Sequence, residues 1–476
     1  MTHKKDSDPK RPKMAIISGY FGNATYGLLG PQMAATIISA NTPYDCIVVA
    51  VSRDDDPRQV KKALRLYCGP QKPLVGFSGI GGREDLIKVA AGLKAEGATT
   101  ILAGPQAADD FSGETGWQNH PHRFKGYKAV FNYGLKGPAE QIIPLLNNFD
   151  HQRLADIDGL LYIDNKGQVT QNRSCKWQAS FLNEVNWANL YRLEKGRLAP
   201  VVISSGQVLQ QIGCPYAVKT RSVDIDPPGF LADSGASPLK MELKGCSFCD
   251  VAIDKGFCGA LDFDCVLTQI AGLPENRQGY KIPFELINEN PFASLPRLLA
   301  AIEREGLKIS QINLTTRVDY LLSGASRFKA TLKKAAEMKI RLLLASVGFE
   351  AFDDILLKNL NKGVTLKDNL KAVSLMRDLK SRFPQQFGYL REEGANHGFI
   401  HPTPWDNSQN QAAQASIIAA HNLQTDIIPS NSTPLIIHHA AGLGRWARAL
   451  EKEAGVTFER HGSVIGWWQV DGRFML

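Results

Sequence analysis

The feature that most constrains the fold of this chain is the alternation of short apolar runs with stretches of helical periodicity. Between residues 14 and 148, strand-like runs such as MAIISGY (14–20) and CIVVAVS (46–52) alternate with segments in which apolar residues recur every three or four positions. Strands that alternate with helices predict a parallel sheet, whose ligands bind at the carboxyl ends of the strands. We therefore predict an α/β protein that begins with a Rossmann-like, doubly wound parallel sheet.

A second α/β series begins near residue 200. Its strand candidates are 208–213, 239–243, 284–288, 309–316, 340–349, 398–400 and 425–430. Repeated β-α order is typical of a full or partial parallel barrel, with its site at the carboxyl ends of the strands. The pattern predicts a sheet domain at 14–150, a connector at 151–200, a barrel at 201–430 and a C-terminal cap at 431–476.

Composition and charge exclude several other classes of protein. The 476 residues are 43% hydrophobic and carry a formal net charge of +8, which excludes a disordered or fibrous chain. No apolar run approaches the roughly 18–20 residues of a membrane helix, and the first residues lack the apolar core of a signal peptide. Eight cysteines are too few for a secreted disulfide scaffold. We expect a cytoplasmic protein with no membrane or nucleic-acid partner.

Five of the eight cysteines fall in one stretch of the second series: Cys214, Cys246, Cys249, Cys258 and Cys265. Clustered thiols in a reducing compartment suggest metal or redox chemistry. Cys246 and Cys249 form a CxxC pair after a strand-like run, which suits a redox couple, half of a zinc site or part of an iron–sulfur site. A zinc site would take Cys246, Cys249, Cys258 and Cys265. The apolar periodicity around Cys265 instead predicts a buried helix face.

The strand and turn around the CxxC pair resemble the cluster loop of radical S-adenosylmethionine enzymes, in which three thiolates hold a 4Fe–4S cluster. The usual motif of that family is CxxxCxxC. Here the nearest upstream thiol is Cys214 in the sequence GCPY, which resembles the context of the family's first cysteine. The resemblance implies Cys214, Cys246 and Cys249 as cluster ligands, with 31 residues between the first two instead of the usual three. An alternative set takes Cys258 in place of Cys214.

Later strand ends resemble the same family in the same order. Asn288 and Glu289 end one predicted strand in the sequence NENP, where the family grips the methionine amine. Arg317 ends the next in LTTR, and Ser346 and Glu350 lie in ASVGFE at the end of the following strand. The resemblance implies that these side chains contact S-adenosylmethionine. Amides and carboxylates at strand ends suit an aminium group and ribose hydroxyls.

The N-terminal domain resembles the cobalamin-binding domains that precede the barrel in some radical S-adenosylmethionine enzymes. The likeness lies in the turns GFSG, AGPQ and YGLKGPAE, each at a predicted strand end. It implies corrinoid contacts from Ser78, Gly79, Gly104, Pro105, Gly134 and Gly137. The sequence has no Asp-x-His-x-x-Gly motif, which argues against a histidine on cobalt. A domain that has lost its cofactor is the alternative.

The same resemblance implies a reaction and partners. Cleavage of S-adenosylmethionine at the cluster would give a 5′-deoxyadenosyl radical that abstracts hydrogen from the substrate, and methylcobalamin would deliver a methyl group to the resulting carbon. The implied partners are a small-molecule or peptide substrate and an external electron donor such as flavodoxin or ferredoxin. The alternatives are a cobalamin-free radical enzyme with another outcome and a non-catalytic zinc-binding protein.

Overall fold

The structure of the protein is a computed structural model that describes residues 11–147, 153–173, 185–249, 259–390, 399–427 and 432–467. The chain divides into two compact units, Met1–Gly206 and Gln207–Leu476. Within the described ranges, no helix is both long and apolar enough to cross a membrane.

The first unit has a parallel sheet at its centre. Its five central strands are β1 (Lys13–Gly19), β2 (Asp45–Val51), β3 (Leu74–Ser78), β4 (Thr99–Ala103) and β5 (Tyr133–Leu135). They pair in parallel in the order β5-β4-β3-β1-β2, one of the two common doubly wound orders. The helices of this unit are Leu29–Asn41, Pro57–Cys68, Glu84–Ala95, Ala107–Ser112 and Ile143–Asn147. The predicted fold class is confirmed for this part of the chain.

Burial on both faces explains why the central strands are continuous apolar runs in the sequence. Five consecutive residues of β1 are buried, and the last six residues of β2 are buried. Alternating apolar and polar residues would mark a strand with one solvated face. A parallel strand that is covered on both faces shows no such alternation.

The segment expected to be a separate connector contributes four strands to this sheet instead. They are β6 (Leu160–Ile163), β7 (Val169–Gln171), β8 (Leu190–Glu194) and β9 (Arg197–Pro200). β6 and β7 form the predicted hairpin and extend the sheet antiparallel beyond β5. β8 pairs in parallel with β2, and β9 returns antiparallel beside β8. Among the described residues of this unit, the sheet therefore has nine strands.

The second unit contains twelve strands among its described residues, and they are listed here in chain order: β10 (Gly206–Leu209), β11 (Gln211–Ile212), β12 (Thr220–Ile225), β13 (Leu239–Lys244), β14 (Gly259–Ala260), β15 (Phe284–Ile287), β16 (Gln311–Arg317), β17 (Arg341–Gly348), β18 (Phe387–Tyr389), β19 (Ile437–His438), β20 (Arg460–His461) and β21 (Val464–Ile465). Its helices are Phe263–Ala271, Leu295–Arg304, Val318–Ser323, Ala325–Glu337, Asp354–Asn359, Leu366–Arg382, Ser408–Ala420 and Gly442–Ala454.

A five-stranded sheet in the order β10-β15-β16-β17-β18 forms the centre of this unit. The pairings from β15 to β18 are parallel, as the repeated β-α order predicts. Two isolated parallel bridges lie beyond these strands, from Glu350 to Phe399 and from Ile400 to Thr433. The sheet does not close into a barrel within the described ranges, so the partial barrel is the architecture observed.

The segment between Cys214 and Cys246 contains an antiparallel hairpin. Its strands, β12 and β13, pair over six residues each. This corrects the assignment of 239–243 to the parallel series. Leu243 is buried in a hydrophobic core with Trp446, so the hairpin is anchored on one face. Because an antiparallel hairpin returns the chain to its starting end, the residues before β12 and after β13 lie at the same end of the hairpin.

The C-terminal segment belongs to the second unit. β19, β21 and β20 form a three-stranded sheet, and Trp467 is buried and donates a hydrogen bond to the carbonyl of Leu435 over 2.8 Å. The strand expected at 425–430 is not found where the chain is described. A 3-10 turn at Leu423–Thr425 occupies its start, and residues 428–431 lie outside the described ranges.

Candidate active site

Polar side chains collect where β10 and β15 end. Gln210 directly follows β10, and its Oε1 accepts hydrogen bonds from Asn288 Nδ2 at 2.7 Å and from Ser294 Oγ at 2.9 Å. Gln210 is 2% exposed, and its Nε2 has no partner among the described residues. An unsatisfied buried donor costs about 1–3 kcal/mol, so this N–H group is a candidate ligand contact. Sequence reasoning missed Gln210, because a glutamine after an apolar strand carries no motif.

Cys214 and Cys246 lie at the open end of the hairpin. Burial raises the pKa of Cys214, and the nearby charge of Glu289 raises it further. Arg317 Nη1 donates to Cys246 Sγ at 3.3 Å, and the guanidinium carbon of Arg317 lies 3.7 Å from the ring centroid of Tyr216, two residues after Cys214. The hairpin thus returns the chain to the same end between two thiols that have 31 residues between them in the sequence.

The loop that carries the CxxC pair is tied to residues 359–363, the NLNKG segment. Asn361 Nδ2 donates to the carbonyl of Gly245 at 2.7 Å, and Ser247 Oγ donates to the carbonyl of Asn359 at 2.8 Å. The residues joined by these two bonds are all buried, and Gly363 at the end of the segment is exposed. Gly245 has a φ of 72°, a left-handed conformation that favours glycine. The backbone of the loop is therefore fixed by the protein itself.

Glu350 lies just beyond β17 and forms an ion pair with Lys362. The distance from Nζ to Oε1 is 2.7 Å, and the side chains are 5% exposed for Lys362 and 19% for Glu350. Burial lowers the pKa of Lys362, but the charges of Glu350 and Cys246 outweigh burial and raise it. Glu350 has a φ of 62°, which is uncommon for a residue other than glycine. Ser346, two residues before the end of β17, is partly buried.

Arg317 ends β16 with each of its donor nitrogens engaged by the protein. Nε donates to Asp319 at 2.9 Å, Nη1 to Cys246 Sγ at 3.3 Å and Nη2 to the carbonyl of Lys362 at 2.6 Å. Burial raises the pKa of the neighbouring Glu289, although Lys362 and Arg317 both lower it. Arg317 therefore faces a cysteine sulfur, and its contact with S-adenosylmethionine stays a prediction.

The described thiols fit a cluster better than a single metal ion. With a Zn–S distance of 2.3 Å, a tetrahedral zinc site holds its sulfur atoms about 3.8 Å apart. Among the described residues, no three cysteine sulfur atoms lie within 4.8 Å of one another. A 4Fe–4S cluster binds each thiolate to a different iron and accepts a wider spacing. Cys214, Cys246 and Cys249 are all unpaired, partly buried thiols.

The two remaining cysteines of the stretch differ from these three. Cys265 is 7% exposed on helix Phe263–Ala271, and its Sγ accepts a hydrogen bond from Gln269 Nε2 at 3.7 Å. The buried helix face that its periodicity predicts is confirmed. Cys258, the alternative third ligand, lies outside the described residues.

In the first unit, the ends of β3 and β4 lie side by side. Ser78 is the last residue of β3, and a Cβ added to Gly104 would lie 3.1 Å from its hydroxyl oxygen. Gly104 and Gly79 have φ values of 114° and 65°, which favour glycine, and Pro105 is exposed after β4. In this strand order the sheet reverses between β1 and β3, and ligands bind at that reversal. These residues therefore suit a cofactor that approaches the backbone closely.

Gly134, in contrast, does not lie at a strand end. It is buried within β5, where an added Cβ would lie 3.2 Å from Phe111 and from Leu161, so it serves packing. Gly137 lies after β5, exposed, with a φ of 109°.

Sequence reasoning missed Arg83, which is 8% exposed and donates to the carbonyl of Val51, at the end of β2, over 3.1 Å. Nothing near it in the sequence indicates that contact.

Solved structures that share this fold include three of the cobalamin-dependent S-adenosylmethionine radical enzyme OxsB. With aqua-cobalamin and S-adenosylmethionine bound, the TM-score is 0.60 at 11% identity; with aqua-cobalamin bound it is 0.56 at 12%; for the apo, SeMet-labeled protein it is 0.52 at 11%. Each match covers 97% of this chain but only 65% of the OxsB chain. No protein-family model and no curated protein matches the sequence. The likeness establishes the fold, and the two-part architecture expected from the sequence is confirmed at that level.

Proposed function

Because the chain has the fold of a cobalamin-dependent radical S-adenosylmethionine enzyme, we propose that it is itself a radical enzyme of this kind. Cys214, Cys246 and Cys249 would hold a 4Fe–4S cluster. When bound, such a cluster supplies the electron that cleaves S-adenosylmethionine. The observation that carries the proposal is the placement of Cys214 and Cys246 at the same end of the hairpin, with Arg317, at the end of a parallel strand, in contact with both Cys246 and the ring of Tyr216.

The strand ends would bind S-adenosylmethionine through complementary charge and hydrogen bonding. Gln210 offers a buried N–H donor suited to a carboxylate, and Asn288 orients that amide through its hydrogen bond to Oε1. Glu289, Ser346 and Glu350 offer acceptors suited to an aminium group and ribose hydroxyls. The second oxygen of Glu350 makes no hydrogen bond to the described residues, so it is open to a ligand.

The first unit would bind cobalamin at the ends of β3 and β4. Ser78 offers a hydroxyl, while Gly79, Gly104 and Pro105 let the corrinoid approach the backbone. Gly137 would contribute from the turn after β5, whereas Gly134 supports the strand from within. With no Asp-x-His-x-x-Gly motif in the sequence, these residues would bind cobalamin without placing a histidine on cobalt.

We propose methyl transfer to an unactivated carbon of a small molecule or peptide as the reaction. The electron would come from an acidic, low-potential protein such as flavodoxin or ferredoxin, in the reducing cytoplasm that unpaired thiols favour. The match covers only 65% of the OxsB chain, so the substrate of OxsB is not carried over to this protein.

The direct test is anaerobic turnover of the reconstituted protein with a chemical reductant and S-adenosylmethionine. We expect 5′-deoxyadenosine to form, and to be lost in Cys246→Ala but kept in Cys265→Ala, the matched cysteine outside the site. Added hydroxocobalamin should remain bound through gel filtration. A colourless protein with stoichiometric zinc and no 5′-deoxyadenosine would contradict the proposal and favour a structural zinc protein.

A further inference from the structure

Arg317 is a buried cation of the second unit, and each of its donor nitrogens contacts the protein. It is 4% exposed, and its three donor nitrogens contact a carboxylate, a sulfur atom and a carbonyl oxygen. A guanidinium is planar and permanently charged, so its donors are fixed in direction once one of them is anchored. Asp319 anchors Nε, and that leaves Nη1 directed at Cys246 Sγ.

The ring of Tyr216 supports this arrangement from one side. The guanidinium carbon of Arg317 lies 3.7 Å from the ring centroid, and that of Arg221 lies 3.8 Å from it. Two cations at that distance must occupy opposite faces of the ring. Tyr216 is itself held by the hydrogen bond from its hydroxyl to the carbonyl of Asn361 at 3.0 Å. Arg317 is therefore fixed on one face and Arg221 on the other.

The two arginines differ in what they donate to. Arg221 Nη1 donates to the carbonyls of Tyr216 and Lys219, at 2.7 and 3.1 Å, and has no hydrogen bond to sulfur within the described part of the chain. Only Arg317 of the two donates to a thiol that the proposed cluster would use. The ring of Tyr216 thus has a cation on each face. Arg317 is buried and donates to a proposed cluster ligand, whereas Arg221 is partly buried and donates only to carbonyl groups.

We propose that Arg317 is a positioning residue that raises the reduction potential of the cluster through its hydrogen bond to Cys246. The inference rests on the proposed function, since it requires the cluster. Hydrogen bonds to ligand sulfur and net charge are among the factors that set cluster potentials. Reduction adds one negative charge to the cluster, and a fixed cation on a ligating thiolate stabilises that state more than the oxidised one. Removing the cation therefore disfavours reduction.

The test is a mediator-based redox titration of the reconstituted protein without S-adenosylmethionine, followed by electron paramagnetic resonance of the reduced cluster. For Arg317→Met we expect at least a tenfold fall in the ratio of reduced to oxidised cluster at a fixed potential, a shift of about 59 mV for one electron. Arg317→Lys should shift less, because it retains the charge. Arg221→Met, which removes the cation on the other face of Tyr216, should leave the ratio within about twofold.

A change of opposite sign provides a check that does not require removing the arginine. Asp319→Asn removes the carboxylate that partly neutralises Arg317, so the ratio of reduced to oxidised cluster should rise. If Arg317→Met fails to bind iron, the Asp319→Asn and Arg317→Lys titrations decide the matter alone. Normal iron content with unchanged ratios in the Arg317 and Asp319 variants, or equal shifts in Arg317→Met and Arg221→Met, would overturn the inference. A wild-type protein without iron would instead overturn the proposed function.

Discussion

The buried ion pair between Lys362 and Glu350 gives a prediction that is independent of any cofactor. Lys362 Nζ is only 2.7 Å from Glu350 Oε1, and the lysine side chain is 5% exposed. Glu350→Gln leaves the ammonium group buried without its anion. Breaking a buried pair costs about 3–5 kcal/mol. We expect about 3 kcal/mol here, because Glu350 is 19% exposed and water can replace part of the interaction.

A double-mutant cycle separates the pair from general packing. Lys362→Met should cost about 2 kcal/mol, since the stranded carboxylate keeps some contact with water. The double variant should cost at least 1 kcal/mol less than the sum of the single changes. The surface pair of Lys358 and Asp226, with side chains 44% and 27% exposed, is the control, and its cycle should show a coupling below about 1 kcal/mol.

The assay is urea-induced unfolding of the cluster-free chain, combined with hydrogen exchange of peptides from the second unit. The local readout is needed because two compact units need not unfold together. Additive effects at Lys362 and Glu350, within about 0.5 kcal/mol, would refute the reasoning. So would a surface pair that couples as strongly as the buried one.

Three further predictions address the ligand sites and the pH dependence. Gly104→Ala should weaken corrinoid binding at least tenfold by difference spectroscopy, because the φ of 114° at Gly104 and its close neighbours exclude a side chain. Gly30 has open space around it, so Gly30→Ala should leave corrinoid binding unchanged. Gln210→Leu should weaken S-adenosylmethionine binding about tenfold by calorimetry with iron content unchanged, and an unchanged affinity would reassign that amide to structure. The hydrogen bond to Asp406 raises the pKa of His401, although burial lowers it. Protonated His401 should therefore stabilise the folded protein fully below about pH 6.5, and this contribution should be lost as the pH rises through the raised pKa of the folded state. His401→Ala should remove that pH dependence from the free energy of unfolding.

The parallel sheets could be predicted from the sequence because their strands are buried on both faces. The run from Leu342 to Leu344 is apolar throughout and lies in β17, which has a parallel neighbour on each side. β13 was misassigned although its sequence, LKMELK, carries the distinguishing signal. Its residues alternate between more and less exposed positions, which is typical of an antiparallel strand with one solvated face. The alternation predicts the hairpin once it is given more weight than the apolar content.

The contacts of the candidate site were less predictable because they join distant parts of the chain. The position of Arg317 at a strand end was expected, but its contact with Cys246 joins residues 71 apart in the sequence. Gly134 is indistinguishable by sequence from a glycine of a ligand turn, and only the ring of Phe111 beside it shows that it serves packing. Local patterns define which residues end a strand; the pairing of strands decides what those residues contact.

The measurement that tests the central claim most directly is the iron content and electron paramagnetic resonance of anaerobically reconstituted cysteine variants. We predict about four iron atoms per chain in the wild-type protein and in Cys265→Ala and Cys258→Ala, with loss of the cluster in Cys214→Ala. Retention of the cluster in Cys214→Ala together with its loss in Cys258→Ala would contradict the ligand set that the hairpin brings together. Zinc in place of iron, lost on Cys265→Ala, would contradict the radical enzyme altogether.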